Sequence, residues 1–147
     1  MQNSDAIAQT AKLCMEHISA HDQMAIMLGI EPVDCRPGYG KAIMPLDTRQ
    51  CNGAGIAHGG AIFSLADIAL ALAANADGRL SLTLNASISF LNPGQNGPLT
   101  AEATEISASS KVAHYEIVVT DALGKPIAHC HGMAYRKHQS RPGDSLS

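Results

Sequence analysis

The chain has 147 residues, 46% hydrophobic and 3% aromatic, which suits a single domain whose core is built from aliphatic side chains and alanine. A formal net charge of -3 and a pI near 6.1 give no electrostatic case for nucleic acid or an anionic membrane as partner. Four widely spaced cysteines without a C-x-x-C pair, and no signal-peptide pattern, lead us to expect free thiols in a reducing cytoplasm.

In chain order, residues 4–19 predict an amphipathic helix: Ser4 can cap it, and Ile7, Ala11, Cys14, Met15 and Ile18 fall on one stripe. Residues 24–30 are apolar and break near Glu31-Pro32. Residues 40–46 read as a short strand, with Pro45 favouring a sheet edge or a strand end. Residues 49–57 read as loop, with Asn52-Gly53 and Gly55 as turn formers.

A helix over residues 59–75 follows, stopped by Asn75 to Gly78. It is apolar on every face, as a buried helix is, yet carries one carboxylate, Asp67, near its middle. Residues 54–76 are long enough to span a membrane, but an alanine- and glycine-rich stretch with a central Asp, which adds roughly 2.5–3.5 kcal/mol against insertion, argues for a protein core.

Residues 80–91 alternate with a period of two: Leu82, Leu84, Ala86, Ile88 and Phe90 against Thr83, Asn85, Ser87 and Ser89. Residues 99–107, 112–120 and 127–136 are three further strands, separated by turn residues. The expected domain covers residues 1–138, with a disordered tail over 139–147. One helix across consecutive antiparallel strands gives an α+β sandwich, and apolar surface left uncovered favours pairing of chains.

The chemistry concentrates at the start and middle of the central helix. Backbone N–H groups at a helix N-terminus, here approached through His58-Gly59-Gly60, can hold a phosphate or a carbonyl oxygen that becomes an oxyanion; the same residues also make an ordinary tight turn. Asp67 can be a general base, a nucleophile toward an acyl carbon, or a structural acid satisfied by Ser64 or a second chain. Gly59 and Asp67 lie eight residues apart, about 12 Å along a helix, whereas a reacting carbonyl must sit about 3 Å from both groups. If both act, each site takes its acid from one chain and its amide from another, which predicts an obligate dimer.

Asn52-Gly53-x4-His58-Gly59-Gly60-x2-Phe63-x-Leu65-Ala66-Asp67, followed by Asn75 and by Phe90-Leu91-x-Pro93-Gly94, closely resembles the phenylacetic-acid-degradation (PaaI-like) branch of the hotdog-fold thioesterases, from about residue 28 to residue 136. The resemblance implies a long helix wrapped by an antiparallel sheet of five or six strands, a homodimer paired again into a tetramer, and metal- and cofactor-free hydrolysis of an acyl-coenzyme A to a carboxylic acid and CoA. By position it implies Asp67 as base or nucleophile, the Gly59 N–H as polariser of the thioester carbonyl, Asn52 as a group placing the nucleophile or water, and His58 as an orienting group. Thr83 falls where a related branch carries a hydroxyl near the attacking water. Gly60 and Phe63 would border the substrate, and Lys111, Arg136 and Lys137 would meet the nucleotide phosphates. Aryl-specific members carry aromatics just after the acid where this chain has Leu70, Ala71 and Leu72, so medium-chain acyl groups stand beside aryl-acetyl ones as substrates.

No G-x-S-x-G elbow surrounds Ser64, and no phosphate loop or dinucleotide fingerprint is present. His129-Cys130-His131 lacks the further spaced ligands of a zinc site. The rival readings are a hotdog enoyl-thioester hydratase or dehydratase and a non-catalytic acyl-CoA-binding protein.

Overall fold

A computed structural model describes residues 2–137; the tail expected over 139–147 lies outside them. Helix α1 (Gln2–His21) and the short α2 (Gln23–Leu28) lead into strands β1 (Glu31–Arg36) and β2 (Tyr39–Met44). A 3-10 turn (Thr48–Gln50) and a loop precede the long helix α3 (Gly59–Asn75). Strands β3 (Ser81–Phe90), β4 (Leu99–Ala108), β5 (Val112–Thr120) and β6 (Pro126–Arg136) complete the order.

The strands form one antiparallel sheet in the order β1-β2-β4-β5-β6-β3, with α3 laid across one face. This is the α+β hotdog arrangement the sequence motifs implied. Alanine and glycine set its depth. The inner sheet face carries Gly40 and Ala42 on β2, Ala101 and Ala103 on β4, Ala113 on β5, and Ala128, Gly132 and Ala134 on β6, all buried. Against them α3 buries Ile62, Leu65, Ile68, Ala69, Leu70, Leu72 and Ala73. A methyl added to Gly40 would run into the backbone carbonyl of Ala69, and one added to Gly132 into Leu70. Small residues on the sheet therefore let the helix backbone come close, and the core needs few aromatics.

Several expectations change. The apolar run over residues 24–30 holds α2, which ends at Gly29, whose φ of 71° and N–H bond to Ile26 O make a left-handed cap; the break thus comes two residues ahead of Glu31, and Pro32 already lies in β1. Strand β1 escaped the pattern reading because it is a mostly exposed edge with a register shift between Pro32 and Asp34. Strand β2 lies between β1 and β4, and Pro45 stands just past its end. The four consecutive strands after α3 are antiparallel, but they are not paired in chain order: β3 pairs with β6, and only β4-β5-β6 run as a meander.

On α1, Ala11 and Cys14 are buried and Met15 and Ile18 pack against the core, while Ile7 is exposed. At the far end of α3, Asn75 Oδ1 accepts from Ser81 N at 2.8 Å and its Nδ2 donates to Ala71 O and Ser81 O. That fixes the helix end to the start of β3. No helix among the described residues is long and apolar enough to cross a membrane.

Candidate active site

The loop ahead of α3 is held by side chains that leave little slack. Gln50 is fully buried; its Nε2 donates to Leu28 O at 2.7 Å and its Oε1 accepts from Asp47 N. The Gln50 carbonyl then accepts His58 N–H at 2.7 Å, tying the start of α3 to α2. Asn52 Oδ1 accepts from Ala54 N and Ile56 N, shaping the turn from within and leaving its amide N–H groups for other use. Ala57 N–H bonds Gly94 O at 2.9 Å, so the middle of the β3–β4 connection closes the loop from the other side.

His58 is the N-cap of α3. Its backbone is extended (φ -66°, ψ 136°), and its Nδ1 accepts the Gly60 N–H at 2.8 Å. That bond requires a lone pair on Nδ1 and assigns any neutral-ring proton to Nε2. The His58 carbonyl takes the N–H groups of Ala61 and Ile62. Gly59 N–H is therefore the amide of the first turn left without an acceptor among the described residues, at the positive end of the helix dipole.

Gly60, Phe63, Ser64, Asp67 and Ala71 recur at helical spacing and form the stripe of α3 that the sheet leaves at least partly open. Asp67 lies at its centre and is half-buried, so the deep burial its neighbours suggested does not hold within one chain. Thr83 Oγ1 donates to Asp67 Oδ1 at 2.7 Å. That contact depends on a β-bulge: the β3–β6 register shifts between Thr83 and Asn85. Below the bulge Ser81 and Thr83 face inward; above it Ala86, Ile88 and Phe90 do, matching their partners Gly132, Cys130 and Ala128. Leu82 instead pairs with exposed Tyr135 and is itself exposed. The alternation put Leu82 and Leu84 on the core face and Thr83 away from it; the extra residue reverses both.

Beneath Asp67 lies Cys130, a buried thiol. Burial pushes its pKa up and the charge of Asp67 adds to that, so it stays a neutral packing group.

Asp67 and Thr83 are thus brought together, and Asn52, His58, Gly59 and Gly60 gather at the helix start. Ser64 Oγ donates to Gly60 O at 2.8 Å and so does not satisfy Asp67. Lys111, Arg136 and Lys137 collect at the opposite end of α3, where Arg136 N–H bonds Lys111 O and Arg136 pairs with Asp77 at 2.9 Å. Leu70 and Leu72 point into the core, leaving Ala71 alone of the three residues after the acid on the open stripe. Two features lay beyond the sequence reading: Gln50, whose role depends on burial, and the Phe90 ring, which rests against Gly59. No group of three or more metal-ligating side chains converges among the described residues.

A family model described as the thioesterase superfamily matches residues 54–128, from the loop ahead of α3 through α3 and strands β3 to β5 to the start of β6. The chain belongs to the thioesterase superfamily. The acyl-coenzyme A thioesterase PaaI of Escherichia coli is 32% identical over 117 residues, 79% of this chain and 84% of that one. A putative esterase of Archaeoglobus fulgidus is 33% identical over 139 residues, covering 94% and 90% of the two chains. The structure of the E. coli PaaI protein from the phenylacetic acid degradation operon matches with a TM-score of 0.85 at 29% identity, over 91% of this chain and 98% of the other. This superfamily member is accordingly a thioester hydrolase with the hotdog fold.

Proposed function

We propose that the protein hydrolyses acyl-coenzyme A in a site shared by two copies of the chain, with Gly59 and Asp67 as its two working groups. The observation that carries this reading is a free helix-start amide and a Thr83-held carboxylate on one helix, eight residues apart. That separation is too large for one carbonyl carbon and suits a two-fold arrangement. Strand β3 supports it: it is a ten-residue sheet edge, with Leu82 and Leu84 exposed.

In this mechanism the Gly59 N–H holds the thioester oxygen as it gains negative charge, for roughly 3–4 kcal/mol of transition-state stabilisation. Asp67 of the second copy either takes a proton from an attacking water or adds through its own oxygen to the acyl carbon. In the second route the C–S bond breaks, CoA leaves as the thiolate, and water splits the resulting anhydride to restore the carboxylate. Thr83 orients Asp67, Asn52 offers its free amide to water or nucleophile, and His58 braces Gly60. Gly60 and Phe63 border the substrate.

Exposed Lys111 and partly buried Lys137 are the cations we assign to the CoA phosphates. Arg136 is a weaker candidate because Asp77 already holds its guanidinium. A second pairing into a tetramer, a cytoplasmic location, and aryl-acetyl or medium-chain acyl substrates complete the reading. The name and operon of the E. coli relative favour a role in aromatic-acid breakdown. A hydratase is disfavoured because the His58 Nδ1 lone pair is occupied by Gly60.

Two variants test the chemistry, read by thiol release on a panel of acyl-CoA thioesters. Asp67→Asn should fold and lose orders of magnitude in kcat. Gly59→Pro deletes the amide proton at a helix position that tolerates proline, after a residue already in the extended conformation proline demands; a fall of about 100- to 1,000-fold in kcat is expected. Normal turnover by either folded variant removes its residue from the mechanism, and enoyl-CoA hydration without thiol release would replace the hydrolase reading.

A further inference from the structure

Phe90 closes the inner face of β3, and its ring tip stands on Gly59. The position a Gly59 Cβ would occupy lies 3.2 Å from Phe90 Cζ and 3.5 and 3.7 Å from its two Cε atoms. Within one protomer Phe90 is 54% exposed, at the end of the β3 edge assigned above to the second copy. A large apolar ring thus stands outside the core of its own protomer and touches the residue that bears the free amide.

Beside the ring runs a groove of about 420 Å3, with Ile56, Ile62, Leu91 and Pro93 among its walls and Gly59 at its edge. Bonds that do not involve the Phe90 side chain fix its rim: Ala57 N–H to Gly94 O at 2.9 Å, Leu91 N–H to Ile127 O at 2.8 Å, and Asn92 Nδ2 to Pro126 O at 2.7 Å. With those polar groups already paired, the ring is the wall that can give, and a substrate reaching the Gly59 N–H along this groove passes it.

We propose that Phe90 is a positioning residue for hydrolysis: its ring, packed where a Gly59 side chain would stand, narrows the approach to the Gly59 amide, limits the water there and seats the thioester carbonyl on the N–H. An N–H open to water must shed that water before it can bond an oxyanion, whereas one flanked by an apolar ring has less to shed. The proposal rests on the reading of Gly59 as oxyanion donor.

The test is steady-state kinetics of the full chain with an aliphatic acyl-CoA and with the matching N-acetylcysteamine thioester, which lacks the nucleotide and most of the pantetheine arm. Phe90→Ala should lower kcat about tenfold or more on both substrates, with KM within about twofold. Phe90→Leu, still apolar and long enough to reach Gly59, should recover most of the loss. Gly59→Ala keeps the N–H while its Cβ makes the ring tip shift by a few tenths of an ångström, so it should lower kcat in the same direction as Phe90→Ala but by less. The double variant should then be no worse than Phe90→Ala, because both changes act on the same contact.

Multiplying losses in the double variant, a change confined to KM, or an effect seen with the CoA substrate alone would overturn the role. A Phe90→Leu variant as impaired as Phe90→Ala would do so too. If Phe90→Ala fails to fold, Gly59→Ala decides: unchanged kcat rejects the proposal and a reduced kcat at unchanged KM supports it. Full activity in Gly59→Pro would remove the oxyanion reading itself, whereas an inactive Gly59→Pro beside a normal Phe90→Ala would remove Phe90 alone.

Discussion

Thr83 and Asp67 meet because a single extra residue in β3 turns the hydroxyl toward α3. A hydrogen bond to a charged acceptor is worth about 1.5–3 kcal/mol, which here fixes one carboxylate oxygen and leaves the other for the chemistry proposed for Asp67. Thr83→Val keeps the shape and deletes the donor; kcat should fall about 10- to 100-fold while Thr83→Ser stays near normal. If valine is as active as threonine, the hydroxyl has no part in aiming Asp67. At this scale the sequence showed which residues were chemically out of place, an acid within an apolar helix and glycines at its start. It could not show that Asp67 and Thr83 touch. A bulge leaves no mark in an alternation that looks unbroken from Leu82 to Phe90.

Between elements, the distance from α3 to the sheet is set by absent side chains. Adding a methyl at Gly40 forces it against the carbonyl of Ala69 and to 2.7 Å from Ala73 N, both backbone of α3 and unable to yield locally. Gly40→Ala should therefore cost about 2–3 kcal/mol by overpacking, or roughly 5–10 °C in Tm. At Gly53, by contrast, an added Cβ meets nothing within 4 Å, and Gly53→Ala should melt like the parent. Equal melting of both variants would mean that the helix is not packed as closely as described. Helix α3 and strands β4 to β6 were legible because their periodicity reflects burial. Strand β1 was not, since its outward residues and Pro32 belong to an exposed edge. The neighbour of β3 was not either, because antiparallel order among strands is decided by contacts far apart in sequence.

For the whole molecule, two surfaces of one protomer look unfinished: the open stripe of α3 centred on Asp67, and the long unpaired edge of β3 that ends at Phe90. Both border the groups assigned to catalysis, and a second copy placed across them would bring a carboxylate to each free amide. Mixing two inactive variants tests this directly. Asp67→Asn and Gly59→Pro chains are unfolded together, refolded at equal amounts and assayed for thiol release. A mixed dimer carries one site with both groups intact and one with neither. With half of the dimers mixed, activity should recover from near zero to about a quarter of the wild-type value. If mixed dimers form, as native mass spectrometry would show, and activity stays at the level of the separate variants, the amide and the acid do not meet across two chains.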